Sequence, residues 1–214
     1  MWDNDYFCIM KLNNALEIPV EQHPLEPFLP ANGKLLMLGS FPPQQKRWCI
    51  HFYYPNYSND MWRIFGQVFF NDPLHFVDTA QKTYRKDDIV AFLNRIGVGI
   101  YDTACAIRRL QDNASDKFLE VVTSTDVEVL LARMPMCRAI VTTGQKATDT
   151  LCAHFGIEQP KMGSYTKFAL DEKEFRLYRM PSSSRAYPMS LVKKAAAYQP
   201  MFEEIFNLDR SFCE

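Results

Sequence analysis

The stretch LLMLGSFPP at residues 35–43 decides the fold class of this 214-residue chain. Its first four residues form a short, unbroken apolar run, and a glycine, a serine and two prolines follow it within five residues. Such a run is typical of a strand that is buried on both faces, as strands in parallel sheets are. The sequence therefore predicts a buried parallel strand whose carboxyl end opens into a loop at Gly39.

Helix and strand patterns alternate along the rest of the chain. Asn59 or Asp60 can cap a helix that continues to Phe69, and the apolar residues of 87–96 have helical spacing. The patterns predict further strands at 98–101, 139–143 and 175–180, and further helices at 126–133, 145–154 and 190–208. Pro200 should kink or split the last helix. Strands that alternate with helices indicate an α/β fold with a largely parallel sheet.

Residues 1–32 have a different character, since they mix polar and apolar residues and contain four prolines. We expect a short helix at 5–16 and then an extended arm that leads into the body of the protein. The length of the chain is typical of one domain. The predicted organisation is therefore an N-terminal helix and arm at 1–32 and a single globular domain at 33–214.

Composition excludes several classes of protein. The 24 Lys and Arg against 25 Asp and Glu exclude a binder driven by overall positive charge, but a local basic groove remains possible. We interpret the adjacent Lys193 and Lys194 as solvated helix surface. The six cysteines lack zinc-finger or iron–sulfur spacing, so we expect reduced thiols, no metal and a cytoplasmic location. We find no signal peptide and no apolar run that could span a membrane.

The loops that follow the predicted strands are the candidates for chemistry, because ligands of open α/β sheets bind beyond the carboxyl ends of the strands. Four such loops, at 39–43, 102–103, 143–146 and 181–185, carry Gly, Ser, Pro or charged residues. Each alone is explained as a turn, but together they indicate a site. Signatures of nucleotide-binding loops and of the nucleophile elbow are absent. We interpret the isolated histidines as surface or packing residues: His23, His51, His75 and His154.

Taken in order, these motifs resemble those of the uracil-DNA glycosylase superfamily, in particular its hypoxanthine (deoxyinosine) and mismatch-specific uracil branches. The resemblance rests on LGSFPP at 38–43, YYP at 53–55, NDMW at 59–62, GIYD at 99–102, GQKA at 144–147 and MPSSSRA at 180–186. It covers about residues 34–206. It implies a three-layer α/β/α sandwich around a mainly parallel four-stranded sheet.

The resemblance also implies an activity, the hydrolysis of the N-glycosidic bond of a flipped hypoxanthine or uracil in DNA base-excision repair. The implied protein is a monomer that needs no cofactor or metal and whose partner is DNA with a deaminated base. The resemblance assigns catalytic roles to Asn59, Asp102 and Ser182. It assigns binding of the base to Ser40, Phe41 and Tyr54, and DNA binding to Arg47, Lys146, Ser183, Ser184, Arg185 and Tyr187.

Phe41 leaves an alternative open. Many members of the superfamily have a polar residue at this position, which positions or activates water. The alternative is therefore a catalytically inactive nucleic-acid or nucleotide-binding protein of the same fold, and a third possibility is a hydrolase of free nucleosides or another small molecule. Asn59 could instead be a plain helix cap, and Asp102 a structural turn or ion-pair residue.

Overall fold

The computed structural model describes residues 18–111 and 116–207, so the helix expected at 5–16 lies outside the described residues. The strands are β1 Val20–Gln22, β2 Leu35–Gly39, β3 Val77–Asp78, β4 Thr83–Tyr84, β5 Val98–Asp102, β6 Ala104–Arg109, β7 Leu119–Ser124, β8 Ala139–Thr143, β9 Ser164–Leu170 and β10 Lys173–Met180. The α-helices are α1 Met61–Phe70, α2 Lys86–Ile96, α3 Val127–Ala132, α4 Gln145–Phe155 and α5 Leu191–Phe206.

The central sheet has the strand order β5-β2-β8-β10-β9. Its first four strands are parallel, and β9 pairs antiparallel with β10 at one edge. Every residue of β2, β5 and β8 is buried, as the apolar runs predict. The mainly parallel sheet is confirmed. It has five strands rather than four, because β9 folds back on β10 as an additional edge strand.

Helices cover both faces of this sheet. The connection from β2 to β5 contains α1 and α2, whereas the steps from β5 to β8 and from β8 to β10 run across the sheet in the opposite direction and contain α3 and α4. Right-handed crossovers place the two groups of helices on opposite faces. The last helix, α5, joins α1: the Phe202 ring lies 5.0 Å from the rings of Phe65 and Phe69. The three-layer α/β/α sandwich is therefore confirmed.

A second, antiparallel sheet of three strands in the order β1-β6-β7 extends the molecule beyond β5. Only Thr103 separates β5 from β6. The described part of the N-terminal arm contributes β1 to this sheet and then runs beside β5, where Phe28 exchanges two backbone hydrogen bonds with Ile100, 3.0 and 2.8 Å long. The arm is thus fastened to the same edge of the central sheet that carries Asp102.

Pro200 does not split the last helix, since α5 runs continuously from Leu191 to Phe206 with Pro200 inside it. The predicted split is wrong because Tyr198, Met201 and Phe202 are buried on both sides of the proline. Packing of an apolar face supplies most of the stability of a helix in a protein, and here it offsets the lost backbone hydrogen bond.

Candidate active site

A cavity of about 250 Å³ lies at the carboxyl ends of β2, β5, β8 and β10, where the sequence predicts the site. Most of the residues singled out from the sequence line it: Ser40, Phe41, Arg47, Tyr54, Asn59, Asp102, Ser182, Ser183, Ser184 and Arg185. Lys146 and Tyr187 do not belong to its lining. Segments that lie up to about 145 residues apart in the chain therefore meet in one crevice.

Asp102 occupies the end of β5, where the register pairs it with Gly39 at the end of β2. Its carboxylate lies so close to this glycine that a Cβ at position 39 would be 2.2 Å from Asp102 Oδ1. Any side chain at position 39 would therefore displace the Asp102 carboxylate. Position 39 must be glycine because the Asp102 carboxylate occupies the space of a side chain there.

The second oxygen of Asp102 contacts a histidine from the arm. His23 Nε2 lies 2.9 Å from Asp102 Oδ2, and only 3% of the His23 side chain is exposed. The imidazole packs against the rings of Phe41 and Tyr101, at centroid distances of 5.2 and 4.5 Å. His23 is a packing residue, as the sequence analysis has it, but its pairing with Asp102 was missed. Nothing in the sequence around His23 signals a partner 79 residues away.

A second carboxyl group, Asp116, lines the same cavity and was also missed. It accepts a hydrogen bond of 2.9 Å from the Ser40 hydroxyl. Burial raises the pKa of Asp116, and the neighbouring Asp102 raises it further, whereas Ser40, Arg109 and Lys146 oppose the shift. Asp116 follows the β6 strand, which the sequence analysis did not predict, so its place beside the first motif could not be inferred.

Arg109 brings a buried cation to the same side of the cavity. Its guanidinium donates to both carboxylate oxygens of Glu21 in β1, with two bonds of 3.0 Å, and to the carbonyl oxygen of Pro42 at 3.2 Å. This bidentate pair ties the arm to the first motif loop. The arm therefore has two polar contacts at the cavity, one through Glu21 and one through His23.

Tyr54 crosses from the first motif loop to the end of β8. Its hydroxyl lies 3.0 Å from the Thr143 hydroxyl, and its ring meets Trp62 edge-on at a centroid distance of 5.8 Å. Burial raises the pKa of Tyr54 well above its ordinary value, so the phenol stays neutral. Its backbone has φ of 48°, a conformation rare for a residue other than glycine, asparagine or aspartate. The loop therefore holds this ring in place at a cost in backbone strain.

Phe41 and Asn59 have structural partners as well as places in the cavity lining. Phe41 is 8% exposed and packs with Ala104, Ile107 and Leu119. Asn59 Oδ1 accepts a hydrogen bond of 2.9 Å from the Met61 amide. Asn59 is not the cap of α1, since Asp60 occupies that position, but its side chain holds the amide of the first helical residue and borders the cavity.

A buried ion cluster fixes the second motif to the start of α1. Lys194 is fully buried, and its Nζ donates to Asp60 Oδ2 at 2.9 Å and to the Ser184 carbonyl oxygen at 2.7 Å. Arg185 donates to the other oxygen of Asp60 at 3.0 and 3.2 Å. The interpretation of Lys194 as solvated surface is therefore wrong, since only Lys193 is exposed. Helix geometry turns the two adjacent lysines to different sides, and one of them faces the core.

The cluster orders the serines of the second motif. The Asp60 amide donates to the Ser183 carbonyl oxygen at 2.8 Å, and the Ser184 amide donates to Ser182 Oγ at 3.2 Å. Ser183 is 3% exposed, so its hydroxyl offers little surface to a DNA phosphate. Ser182 remains at the cavity with its hydroxyl hydrogen available to a ligand. Arg47 lies exposed at the rim, on the short 3-10 helix Gln45–Arg47.

Two searches of the described residues concern metals and membranes. Within 18–111 and 116–207, no group of three or more His, Cys, Asp or Glu side chains is arranged to hold a metal ion. In the same part of the chain, no helix combines the length and the apolar character that a membrane crossing requires.

Comparisons with known proteins support the fold. No protein-family model matches the sequence, and no curated protein matches it. Among solved structures, the chain is similar to the solution NMR structure of a "putative uracil DNA glycosylase" from Methanosarcina acetivorans. The TM-score is 0.57, the sequence identity is 21%, and the match covers 87% of this chain and 99% of that one. The two proteins share the α/β/α fold over nearly the full length of the archaeal chain.

Proposed function

We propose that this protein is a monofunctional DNA glycosylase that releases a deaminated base, hypoxanthine or uracil, from DNA. One observation carries the proposal: a single cavity gathers Tyr54, Asn59, Asp102 and Ser182, which come from four separate motifs. The fold shared with the "putative uracil DNA glycosylase" supports the same conclusion. The remaining expectations, a monomer in the cytoplasm that acts in base-excision repair without a cofactor, are part of this proposal.

The size and lining of the cavity fit a single base. Its volume of about 250 Å³ lies just below the range of about 300–1,000 Å³ that is usual for drug-sized ligands. Enzymes that act on a base in DNA flip it out of the stack into such a pocket, where side chains read its edge and an aromatic ring stacks on its face. Tyr54 offers the ring, and Asn59 and Ser182 offer an amide and a hydroxyl for the edge.

The reaction can be written with the groups that line the cavity. The oxygen of a water molecule bonds to C1′ of the sugar, and the Asp102 carboxylate accepts the proton that this water loses. The bond between C1′ and the base nitrogen breaks, and its electron pair passes into the base. Hydrogen bonds from Asn59 and Ser182 stabilise the negative charge on the departing base, which takes up a proton from solvent while Asp102 releases its proton to solvent. The products are an abasic site and a free base.

Asp102 is the feature that favours an enzyme over a binding module of the same fold. Phe41 lacks the polar group that many superfamily members have in the first motif, and its ring packs into a small apolar cluster. The carboxylate of Asp102, however, lies at the adjacent strand end and also borders the cavity. It can act on water in place of a polar side chain at position 41.

Side chains at the rim of the cavity would contact the phosphates of DNA. Arg47 and Arg185 flank the cavity on the two motif loops, and both are exposed. Ser184 lies beside Arg185, and Lys146 and Tyr187 lie outside the cavity lining, where a backbone that runs past the flipped base could reach them. Basic side chains at these positions supply the local positive charge that a chain of net charge −1 lacks overall.

The test is a panel of oligonucleotides that contain hypoxanthine, uracil or xanthine, in single and double strands. Incubation with the protein is followed by alkali, which cleaves the strand at abasic sites. We expect cleavage with at least one of these bases and at least a tenfold slower release by Asn59→Ala and Ser182→Ala. Asn94→Ala and Ser164→Ala are matched controls, because both residues are exposed and lie outside the cavity lining.

The alternatives predict other outcomes of the same panel. DNA binding without cleavage of any substrate would support the inactive nucleic-acid-binding protein. Release of a base from free nucleosides, with none from DNA, would support the small-molecule hydrolase. Steep weakening of DNA affinity with salt would argue against that third function.

A further inference from the structure

The N-terminal arm reaches the candidate site through one buried side chain, that of His23. After β1, the His23 amide donates to the Cys105 carbonyl oxygen at 2.8 Å, so the arm is still held against β6 at this residue. The chain then continues to Phe28, which pairs with Ile100 in β5. These backbone bonds fix the two ends of the segment and direct the imidazole towards the end of β5.

The imidazole is held at both of its nitrogens. Nδ1 lies 2.8 Å from the carbonyl oxygen and 3.2 Å from the amide nitrogen of Leu25. Nε2 lies 2.9 Å from Asp102 Oδ2. An ionised carboxylate only accepts hydrogen bonds, so Nε2 is the donor when Asp102 is charged. The pair is enclosed by the rings of Phe41 and Tyr101, and a hydrogen bond in such surroundings is stronger than one in water.

His23 acts on the cavity only through its partner. The His23 side chain is 3% exposed and does not belong to the cavity lining, whereas Asp102 does. The imidazole therefore does not contact a bound base or water. The other oxygen of the carboxylate, Oδ1, lies against Gly39, so the carboxylate is confined from both sides.

On this basis we propose that His23 is a positioning residue for Asp102. The Nε2–H group holds Oδ2 and fixes the plane of the carboxylate, so that Oδ1 faces the attacking water and takes its proton. The inference deepens the proposed function and rests on it. It also assigns a role to the arm, which becomes part of the catalytic centre rather than a tether.

The experiment compares three substitutions of His23 in the full chain. Gln places its amide nitrogen close to the position of Nε2 and keeps the donor to Asp102, whereas Asn is too short and Leu has no donor. We measure the single-turnover rate of base release and, separately, the Kd for a duplex with a stable abasic-site analogue. We expect His23→Leu and His23→Asn to be about 10- to 100-fold slower, His23→Gln to be within about threefold of the wild type, and all Kd values to change less than about twofold.

A double-mutant cycle separates positioning from a general effect on the fold. If His23 acts only through Asp102, His23→Leu should cause no further loss of rate in an Asp102→Asn background. The control is His154→Leu, because His154 pairs with Glu128 at a similar distance, 2.8 Å, on a more exposed part of the surface away from the cavity. This control should react at the wild-type rate.

Three results would overturn the inference: a wild-type rate for both His23→Leu and His23→Asn, a loss of rate for His23→Gln as large as that for His23→Leu, or a full loss from His23→Leu in the Asp102→Asn background. If His23→Leu does not fold, judged by its thermal melt, the comparison of the Asn and Gln variants decides. Failure of the wild-type protein to release any base would instead refute the proposed function.

Discussion

The two sides of the cavity differ in the side chains that they contribute. One side, the motif wall, consists of the loops at 40–59 and 182–186 and presents mainly hydroxyl, amide and aromatic groups. The other, the charged wall, consists of Asp102, Arg109 and Asp116, with His23 behind them. Neutral groups suit recognition of a base, and confined ionisable groups suit proton transfer. The proposed function therefore assigns binding of the base to the motif wall and activation of water to the charged wall.

The most severe test of this division is Asp102→Asn. The amide is nearly isosteric and can still accept from His23, but it cannot take a proton from water. We expect the single-turnover rate to fall by about 10²–10⁴-fold, the usual contribution of a general base. The Kd for a duplex with an abasic-site analogue should change less than about twofold. A loss of affinity as large as the loss of rate would mean that the charged wall binds DNA.

Gly39→Ala should disturb the charged wall from the motif side. The new Cβ would lie 2.2 Å from Asp102 Oδ1, and the carboxylate cannot yield without breaking its contact with His23. We expect a rate at least about tenfold lower and a loss of about 1–3 kcal/mol in the free energy of unfolding, as for other overpacked sites.

The control for Gly39→Ala is Gly156→Ala. Gly156 has φ of 62° and nothing within 4 Å of an added Cβ, so alanine there costs about 1–2 kcal/mol of backbone strain and meets no side chain. Both variants should melt at lower temperature, but only Gly39→Ala should lose rate. Equal rates for the two would show that the carboxylate does not need its present position.

The division also explains which parts of the molecule could be predicted from the sequence. β2, β5 and β8 are buried on both faces, so each is a short apolar run that local sequence reveals. Of the strands that were missed, β1, β7 and β9 are partly exposed and have mixed composition, and β3 and β4 are only two residues long. β6 follows β5 after one residue, so the local sequence does not distinguish it from a continuation of β5. Asp102 ends the predicted strand β5, but the other members of the charged wall depend on β1, β6 and the β6–β7 connection and were missed with them.

Residues of the candidate site could be predicted from the sequence only where they belong to a short sequence motif or end a predicted strand. Ser40, Asn59 and Ser182 belong to short ordered signatures, and Asp102 closes a predicted strand. His23 and Asp116 acquire their surroundings from the path of the arm and from the β6–β7 connection, both of which depend on contacts distant in sequence. Lys194 was misread because its partner Asp60 lies 134 residues away.

Tyr54→Phe tests the motif wall with a smaller expected effect. The variant loses the hydrogen bond to Thr143, 3.0 Å long, which contributes about 1 kcal/mol to stability, but it keeps the ring. We expect that loss in urea unfolding, with affinity for a lesion duplex within about twofold of the wild type. Tyr54→Ala should weaken binding by about 1–3 kcal/mol, the contribution of a stacked base. If Phe bound as poorly as Ala, the hydroxyl rather than the ring would recognise the base.

Asp116→Asn has the smallest expected effect and a characteristic pH dependence. Burial and the nearby Asp102 raise the pKa of Asp116. Above that pKa the carboxylate is ionised although it is partly desolvated, and this lowers the free energy of unfolding. As the pH falls through the raised pKa, the folded state takes up a proton before the unfolded state does. The destabilisation by the ionised carboxylate then disappears. The asparagine variant has no carboxylate and so lacks this destabilisation, and its amide oxygen can still accept the hydrogen bond from Ser40. We therefore expect Asp116→Asn to be more stable than the wild type at pH 7, by less than about 1 kcal/mol, and the difference to vanish towards pH 4.

Thermal melts of both proteins from pH 4 to pH 8 measure this difference, with the exposed Asp171→Asn as the matched control. An asparagine variant less stable than the wild type at pH 7, with a deficit that shrinks towards acid, would mean that Asp116 is stabilised as an anion, as an ion-pair residue would be. The charged wall would then be a structural cluster around Arg109. A gain in stability for the variant that is confined to neutral pH means instead that the wild-type fold would be more stable without this acid. Proteins retain such a group where their function requires it, and a slower rate for Asp116→Asn would place Asp116 beside Asp102 in the chemistry.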